Sequence, residues 1–341
     1  MSRRMILVAV MIGLLWISPS TSFSQDQEYK IGVLANRGPV RVTKDWGETA
    51  TLLTNKIGKA FTLVPLEYKQ IDPWTKEKKI DFVLTNSAMY AELNKLYGVQ
   101  AIATQVNLYK DQPLDKFGSV ILVKVDSPIK TLADLKGKDF ACASRSAFGG
   151  WLMTARLLRE SGMNPDSDLV LKELSAHDNV VYAVLNGAVA GGSVRTGILE
   201  KMVQEGSVKM ASFRIIHRIE DDFPLIHSTQ LYAEYPFAAC QHVPAAVKQQ
   251  VAKVLVAISA RDPAATNAGI SGWTEPQDYS AVVECLGVLK YGAFKDTAQT
   301  PTPRVIEKTG ESPPAQPGAS SSQEGGPAKT PKVPRGRTST Q

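Results

Sequence analysis

Between residues 28 and 296 short apolar runs alternate with longer amphipathic ones, a rhythm that restricts the chain to helices packed on sheets. Tyr29 to Ala35 reads as a buried strand, Asp45 to Gly58 as a helix with Trp46, Leu52, Leu53 and Ile57 on one side, and Phe61 to Leu66 as the next strand. Ile80 to Leu84 repeats the strand pattern, and a helix through Tyr90, Leu93 and Leu96 ends at Gly98. Such alternation predicts an α/β fold of parallel sheets with helices on their faces. Roughly 270 residues exceed what one core usually serves, so two lobes are expected.

The second lobe opens at Phe117-Gly118, before the strand Ser119 to Val123. It is expected to hold a helix introduced by Leu132-Ala133-Asp134-Leu135-Lys136-Gly137, a helix over 150–161 stopped by Gly162, and a further one through Val180 to Asn186. Pro244 to Ala260, apolar at Val247, Val251, Val254, Leu255 and Ile258, reads as a helix returned to the first lobe. The expected organisation is therefore 25–117 and 229–296 for the first lobe and 118–228 for the second, with two chain crossovers.

Arg3 and Arg4 precede an apolar run from Met5 to Ile17 and a small-residue site at Ser22-Phe23-Ser24, which predicts a cleaved export signal over 1–24. The run falls short of the roughly 20 apolar residues a comfortable span needs, and retention as an anchor is the alternative. The expected compartment is the periplasm. The net charge is +6, of which Arg3 and Arg4 supply two and Thr297 to Gln341 supplies three, leaving the middle near neutral at +1. That argues against a nucleic-acid surface. The Thr/Pro/Ser/Gly/Lys-rich stretch 297–341 buries too little apolar surface to offset its ordering entropy and is expected to be disordered. Cys142, Cys240 and Cys285 all sit in apolar contexts and read as buried thiols, with one disulfide as the alternative. No Cys/His spacing suits a metal, and no cofactor is implied.

Candidate chemistry gathers in turns between strand-like and helical segments. Phe140 to Trp151 runs from an apolar strand through Ser144-Arg145-Ser146 into Phe148-Gly149-Gly150 and a helix, an arrangement that cradles oxyanions because the first N–H groups of a helix lack partners. Capping by Ser144 or Ser146 is the alternative use. Asn36-Arg37-Gly38, Thr85-Asn86-Ser87, His177-Asp178-Asn179 and Val194-Arg195-Thr196 occupy equivalent places, where open α/β sheets bind ligands. Arg195 follows a buried strand end, Gly191-Gly192-Ser193-Val194, and suits a carboxylate or bidentate oxyanion; pairing with a structural carboxylate such as Glu200 competes.

The chain resembles the periplasmic type II solute-binding proteins of the phosphate/phosphite/phosphonate class, and more closely the sensor domain of tetrathionate-sensing histidine kinases. The resemblance rests on Ile31-Gly32-Val33-Leu34-Ala35-Asn36-Arg37-Gly38 with Trp46, Asp81 to Asn86, Thr131 to Lys138, Ser144 to Trp151, His177-Asp178-Asn179-Val180-Val181, Val194-Arg195-Thr196 with Leu199-Glu200, and Ser228-Thr229-Gln230-Leu231-Tyr232. It departs at Ala190, where relatives carry Asp, and at Ala233-Glu234-Tyr235, where they tend to have Pro-Glu-Trp. The resemblance implies a two-lobed, monomeric clamp that closes on a small anion, hinged near Phe117-Gly118 and Thr229-Gln230. Its expected contacts are Arg37, Asn86, Ser87, Ser144, Ser146, Gly149, His177, Arg195, Thr196, Ser228 and Thr229, with Trp46, Tyr90 and Phe148 as aromatic walls. The expected partner is an ABC transporter permease; a separate membrane sensor kinase is the alternative. An enzyme with Cys142 or Ser144 as nucleophile and His177 as base is a third, weaker reading that lacks an orienting group.

Overall fold

The structure is a computed structural model that describes residues 28–296; the expected export signal and polar tail lie outside the described residues. β1 (Tyr29–Leu34) leads through α1 (Pro39–Ile57) to β2 (Phe61–Leu66), then through α2 (Tyr68–Lys76) to β3 (Phe82–Leu84) and α3 (Ser87–Tyr97). The long β4 (Gln100–Tyr109) folds back into β5 (Gln112–Leu114), and β6 (Lys116–Phe117) leaves this lobe. The second lobe comprises β7 (Ser119–Lys124), β8 (Lys138–Cys142), α4 (Met153–Glu160), β9 (Leu169–Glu173), α5 (His177–Leu185), β10 (Gly191–Arg195), α6 (Ile198–Gln204) and β11 (Phe213–Ile216). The chain returns through β12 (Tyr232–Ala233) to β13 (Pro236–Ala239), α7 (Ala245–Val256), α8 (Pro263–Ala268), β14 (Ile270–Thr274) and α9 (Ser280–Leu289).

The first sheet runs β14-β4-β13-β3-β1-β2 with β5 on β4, and the second runs β11-β7-β10-β8-β9. Both are mixed rather than purely parallel. β1 lies parallel to β2 and β3, but the returning β13 enters antiparallel between β3 and β4. Likewise β10 is parallel to β8 and antiparallel to β7. Tyr29, Phe61, Phe82 and Phe237 stack in sequence through the first core, with centroid spacings of 5.4 to 5.9 Å. Each buried ring of this kind contributes about 1.5–3 kcal/mol by leaving water. In the second lobe α5 lies so close to the sheet that a β-carbon on Gly192 would sit 2.7 Å from Val180 Cγ1 and 3.0 Å from the Ala141 carbonyl.

Several elements depart from the sequence reading for local reasons. α1 begins six residues before Asp45, because Gly38 bends the chain at φ 98° and Pro39 suits the first helical position, where no N–H is needed. α2, with Pro73 inside it, forms where the sequence pattern predicts no element; the Glu67/Gln70 capping box starts it, with the Glu67 amide donating to Gln70 Oε1 at 2.8 Å. The stretch from Leu132 to Gly137 forms only a 3₁₀ turn at Ala133–Leu135. There the Asp134 carboxylate accepts the Lys130 and Thr131 amides at 2.9 Å each, and β8 starts at Lys138, leaving no room for a helix. The helix expected over 150–161 opens instead with a wide turn at Phe148–Leu152, where the Trp151 and Leu152 amides share the Ala147 carbonyl, before α4.

Candidate functional site

The lobes are joined by β6 and β12, which pair antiparallel with Phe117 opposite Tyr232. The chain is packed tightly at this crossing: a β-carbon on Gly118 would lie 3.2 Å from Leu231 Cδ2 and 3.3 Å from Thr229 Oγ1. Three of the expected contact residues are used in wiring it. Thr196 donates its amide to the Gly118 carbonyl at 3.0 Å and accepts the Gly118 amide on Oγ1. Thr229 Oγ1 accepts the Ser119 amide at 2.9 Å, while Ser228 Oγ accepts the Ile121 amide at 3.0 Å and donates to the Ile216 carbonyl at 2.8 Å.

The serine turn after β8 is folded on itself. Ser144 Oγ lies 3.1 Å from Ser146 Oγ and donates to Glu173 Oε2 at 3.2 Å, and the Arg145 amide donates to the same carboxylate oxygen at 2.9 Å. Across the lobes, Asn86 Nδ2 donates to the Ser146 carbonyl at 3.2 Å while its Oδ1 caps α3 by accepting the Met89 amide at 3.0 Å. Ser87 Oγ donates to the Ala233 carbonyl at 2.6 Å, on the hinge. Phe148 is fully buried between Phe117 and Tyr232. The glycines after it are demanded by close approach: a β-carbon on Gly149 would lie 2.7 Å from Arg195 Cβ, and one on Gly150 2.6 Å from His177 Cε1. Thus the helix start is pressed against Arg195 and His177 together.

His177, 1% exposed at the start of α5, faces Tyr68 Oη of the first lobe at 3.4 Å through Nε2, and its Nδ1 has no partner. Burial, aided by the charges of Arg195 and Arg37, pulls its pKa down to about 3, so the ring is neutral. Among the described residues the one side-chain hydrogen bond of the imidazole is to Tyr68, and Ser144 Oγ bonds instead to Ser146 and Glu173. Burial also pushes the Cys142 thiol up to about 12, which leaves it protonated. All three cysteines are buried free thiols.

Beside the hinge, between the lobes, lies a cavity of about 250 Å³. Asn36, Arg37, Trp46, Gln105, Asn107 and Lys116 line it from the first lobe and hinge, Arg195, Glu200 and Lys201 from the second, and Glu234 and Tyr235 from the returning chain. Of the residues singled out in the sequence, Arg37, Trp46 and Arg195 line this cavity. Asn86, Ser87, Ser144, Ser146 and His177 instead lie where the two lobes or the hinge touch, and Phe148 and Gly149 are packed beneath. Tyr90 lies elsewhere: its ring packs on Tyr279 at 4.9 Å and its hydroxyl accepts the Ala101 amide at 3.3 Å.

Both arginines already hold carboxylates. Arg195 lies with its guanidinium 4.7 Å from the Phe117 ring and 4.8 Å from the Tyr235 ring, and donates from Nη2 to Glu234 Oε1 at 2.5 Å. Its partner is thus Glu234, not Glu200, which accepts the Ile226 amide at 2.9 Å and keeps Oε2 buried without a partner. Arg37 reaches out of the first lobe to two carboxylates of the second, Asp178 at 2.7 and 2.8 Å and Glu205 at 3.2 and 2.9 Å. Arg41 adds bonds of 2.9 and 3.0 Å to Glu205. Although burial works to raise it, these bonds hold the Glu205 carboxyl down at about 2.

Tyr68, Gln105, Asn107, Glu234 and Tyr235 complete the polar interior between the lobes and were not singled out as contacts. One signal was available for Glu234: it is the single charge in the run Leu231 to Cys240, and it is 1% exposed.

Residues 31–280 match the family described as ABC transporter, phosphonate, periplasmic substrate-binding protein. A tetrathionate sensor histidine kinase of Salmonella typhimurium is 30% identical over 230 residues, which cover 67% of this chain and 39% of that kinase. The chain thus spans about two fifths of that relative's length. Among solved structures, PhnD1 of Prochlorococcus marinus in complex with methylphosphonate superposes with a TM-score of 0.65 at 15% identity, covering 77% of this chain and 98% of that one. A binding protein component of an ABC phosphonate transporter from Pseudomonas aeruginosa superposes with a TM-score of 0.66 at 14% identity, covering 77% and 86%. At such identities the likeness is one of fold, the two-lobed type II periplasmic binding architecture.

Proposed function

Because the chain belongs to the family of periplasmic substrate-binding proteins of phosphonate ABC transporters, we propose that it captures a small oxyanion between its lobes and delivers it to a transporter permease. The family's members are binding proteins rather than enzymes, and a solute-binding role follows from membership. The observation that carries the anionic ligand is Arg195, seated at the hinge between two aromatic rings and lining the interlobe cavity. A guanidinium so placed presents a planar donor set to a tetrahedral or bidentate oxyanion. The unpartnered His177 Nδ1, the helix start at Phe148, Ser144 and Ser146 belong to the same interlobe seam and supply further donors as the lobes rearrange around the ligand.

Ligand binding then acts by differential affinity: an anion bridging both lobes stabilises the closed state, and β6 and β12 absorb the rotation. A second reading is favoured by the tetrathionate sensor kinase at 30% identity. In it the same clamp reports ligand to a separate membrane histidine kinase. The test is a thermal-shift screen against phosphate, methylphosphonate, sulfate, thiosulfate and tetrathionate. A ligand at about 100 times its Kd stabilises by roughly 2.7 kcal/mol, which is readily measured. A tetrathionate response favours sensing and a phosphonate response favours transport. No shift with any of them refutes oxyanion capture.

A further inference from the structure

The seat of Arg195 is already occupied by an anion belonging to the protein. Glu234 is 1% exposed and held by three donors: Arg195 Nη2 and Asn107 Nδ2 on Oε1, and the Tyr235 amide at 3.1 Å on Oε2. Its own amide is fixed to the Asp115 carbonyl at 3.0 Å, and its carbonyl accepts from Ser87 Oγ and Tyr279 Oη. The carboxylate borders the interlobe cavity together with Arg195 and is held there by these three donors. An oxyanion that reaches Arg195 must therefore share one guanidinium with a fixed second anion, and like charges within about 4–6 Å disfavour joint ionisation.

Resting on the oxyanion reading above, we propose that Glu234 is a resident counter-anion for Arg195, and that a ligand oxyanion pairs with Arg195 only as Glu234 takes up one proton from solvent. The step is balanced: the anion enters, one O–H bond forms on Glu234, and the net charge of the site rises by one before the ligand is counted. The neutral carboxyl keeps a carbonyl oxygen for the bonds it accepts and gains an O–H to donate. In the unliganded protein, burial raises the Glu234 carboxyl and the Arg195 charge opposes that rise. The titratable groups facing it are Arg195 from β10, Tyr279 at the start of α9, the adjacent Tyr235, and Lys116 on the hinge. Asp45, Glu200 and Lys201 line the same cavity and are the competing proton sites. His177, neutral in the unliganded protein and unpartnered at Nδ1, is a further competing proton site, which Glu234→Gln separates from Glu234.

The experiment is titration calorimetry with sulfate, thiosulfate and tetrathionate, whose charges do not change near neutral pH. Titrations run from pH 5.5 to 8.5 in buffers of different ionisation enthalpy. Expected are uptake of about one proton per anion and a Kd that weakens by up to about tenfold per pH unit as pH rises. In Glu234→Gln the proton uptake and pH dependence should vanish while the anion still binds, and in Glu200→Gln and Asp45→Asn the uptake should persist. Binding to the native protein with no proton uptake overturns the proposal while leaving oxyanion capture intact, and needs no variant to fold. Uptake that survives Glu234→Gln overturns it equally. If none of the three anions binds either form at any pH, the oxyanion reading fails and the proposal with it.

Discussion

Replacing Arg37 with Met should open the molecule. The Arg37 side chain is 6% exposed and makes four charge-assisted bonds to Asp178 and Glu205, carboxylates that are 19% and 27% exposed and belong to the opposite lobe. Removing one partner from a fully buried pair costs about 3–5 kcal/mol. Here both carboxylates can rehydrate by turning to solvent, and Glu205 retains Arg41. The loss should therefore be nearer the value of one or two charge-assisted bonds, about 2–3 kcal/mol. Its main effect falls on closure rather than on folding, because the bonds join the lobes instead of bracing either core. A shift of that size moves the closed-to-open ratio roughly 30- to 150-fold. Small-angle scattering without ligand should show a larger radius of gyration for the variant, and a label pair on the two lobes should show a longer mean distance. Acid should act in the same direction. Glu205 is depressed from an ordinary 4.5 to about 2, so the stability it contributes is complete above pH 4.5 and is lost as pH falls toward 2. Unchanged scattering and unchanged lobe distance in Arg37→Met would refute the clasp.

Gly150→Ala should destabilise the fold by about 1–3 kcal/mol, the usual cost of overpacking, since its new carbon would meet His177 at 2.6 Å; an unchanged melting temperature contradicts this. A thiol reagent should label the native protein slowly and the unfolded protein at Cys142, Cys240 and Cys285, because burial pushes the first two thiols up to about 12 and the third to about 11. Fewer than three labelled positions after unfolding without reductant would reveal a disulfide. Arg195→Met should weaken binding of an anion identified by the thermal-shift screen by about 2–5 kcal/mol, as loss of a desolvated charged partner does. The Ser144→Ala/Ser146→Ala double variant should lose about 1–2 kcal/mol, the scale of a bond to a charged group. Equal affinity in native protein and both variants, measured by calorimetry at matched stability, would remove these residues from the site.

The fold was legible because its signals are local. Apolar runs of about six residues mark β1, β2 and β7, spaced apolar positions ending at Gly98 mark α3, and the two-lobed architecture follows from their alternation together with the chain length. What escaped were features whose local signal opposes the outcome. Pro73 argues against a helix that a capping box and tertiary packing nevertheless sustain. Leu132 to Gly137 carries helix-forming residues, yet Asp134 spends its carboxylate on upstream amides and the strand begins too soon. The antiparallel entry of β13 is invisible in any local window, since it is fixed by contacts of Phe237 to Ala239 with residues more than a hundred positions earlier.

The site was legible to a different depth, and the reason is electrostatic. Turn residues at strand ends can be listed from sequence, and Arg37, Trp46 and Arg195 do line the interlobe cavity. Whether an arginine there is a vacant anion donor depends on its carboxylate partner, and those partners lie 39 residues away for Arg195 and 141 for Arg37. The two pairs also differ in consequence. Asp178 and Glu205 bind Arg37 across the lobes at a partly exposed rim, where water can replace either side, so this arginine sets how readily the clamp closes. Glu234 binds Arg195 at the wall of the cavity, with side chains 1% and 11% exposed, so on the proposal above that arginine takes a second anion only with a change in charge. On the reading proposed above, Arg37 serves closure and Arg195 recognition. Arg37→Met should shift the closed-to-open ratio even without ligand, whereas substitution at Arg195 or Glu234 should change which anions are preferred and at what pH.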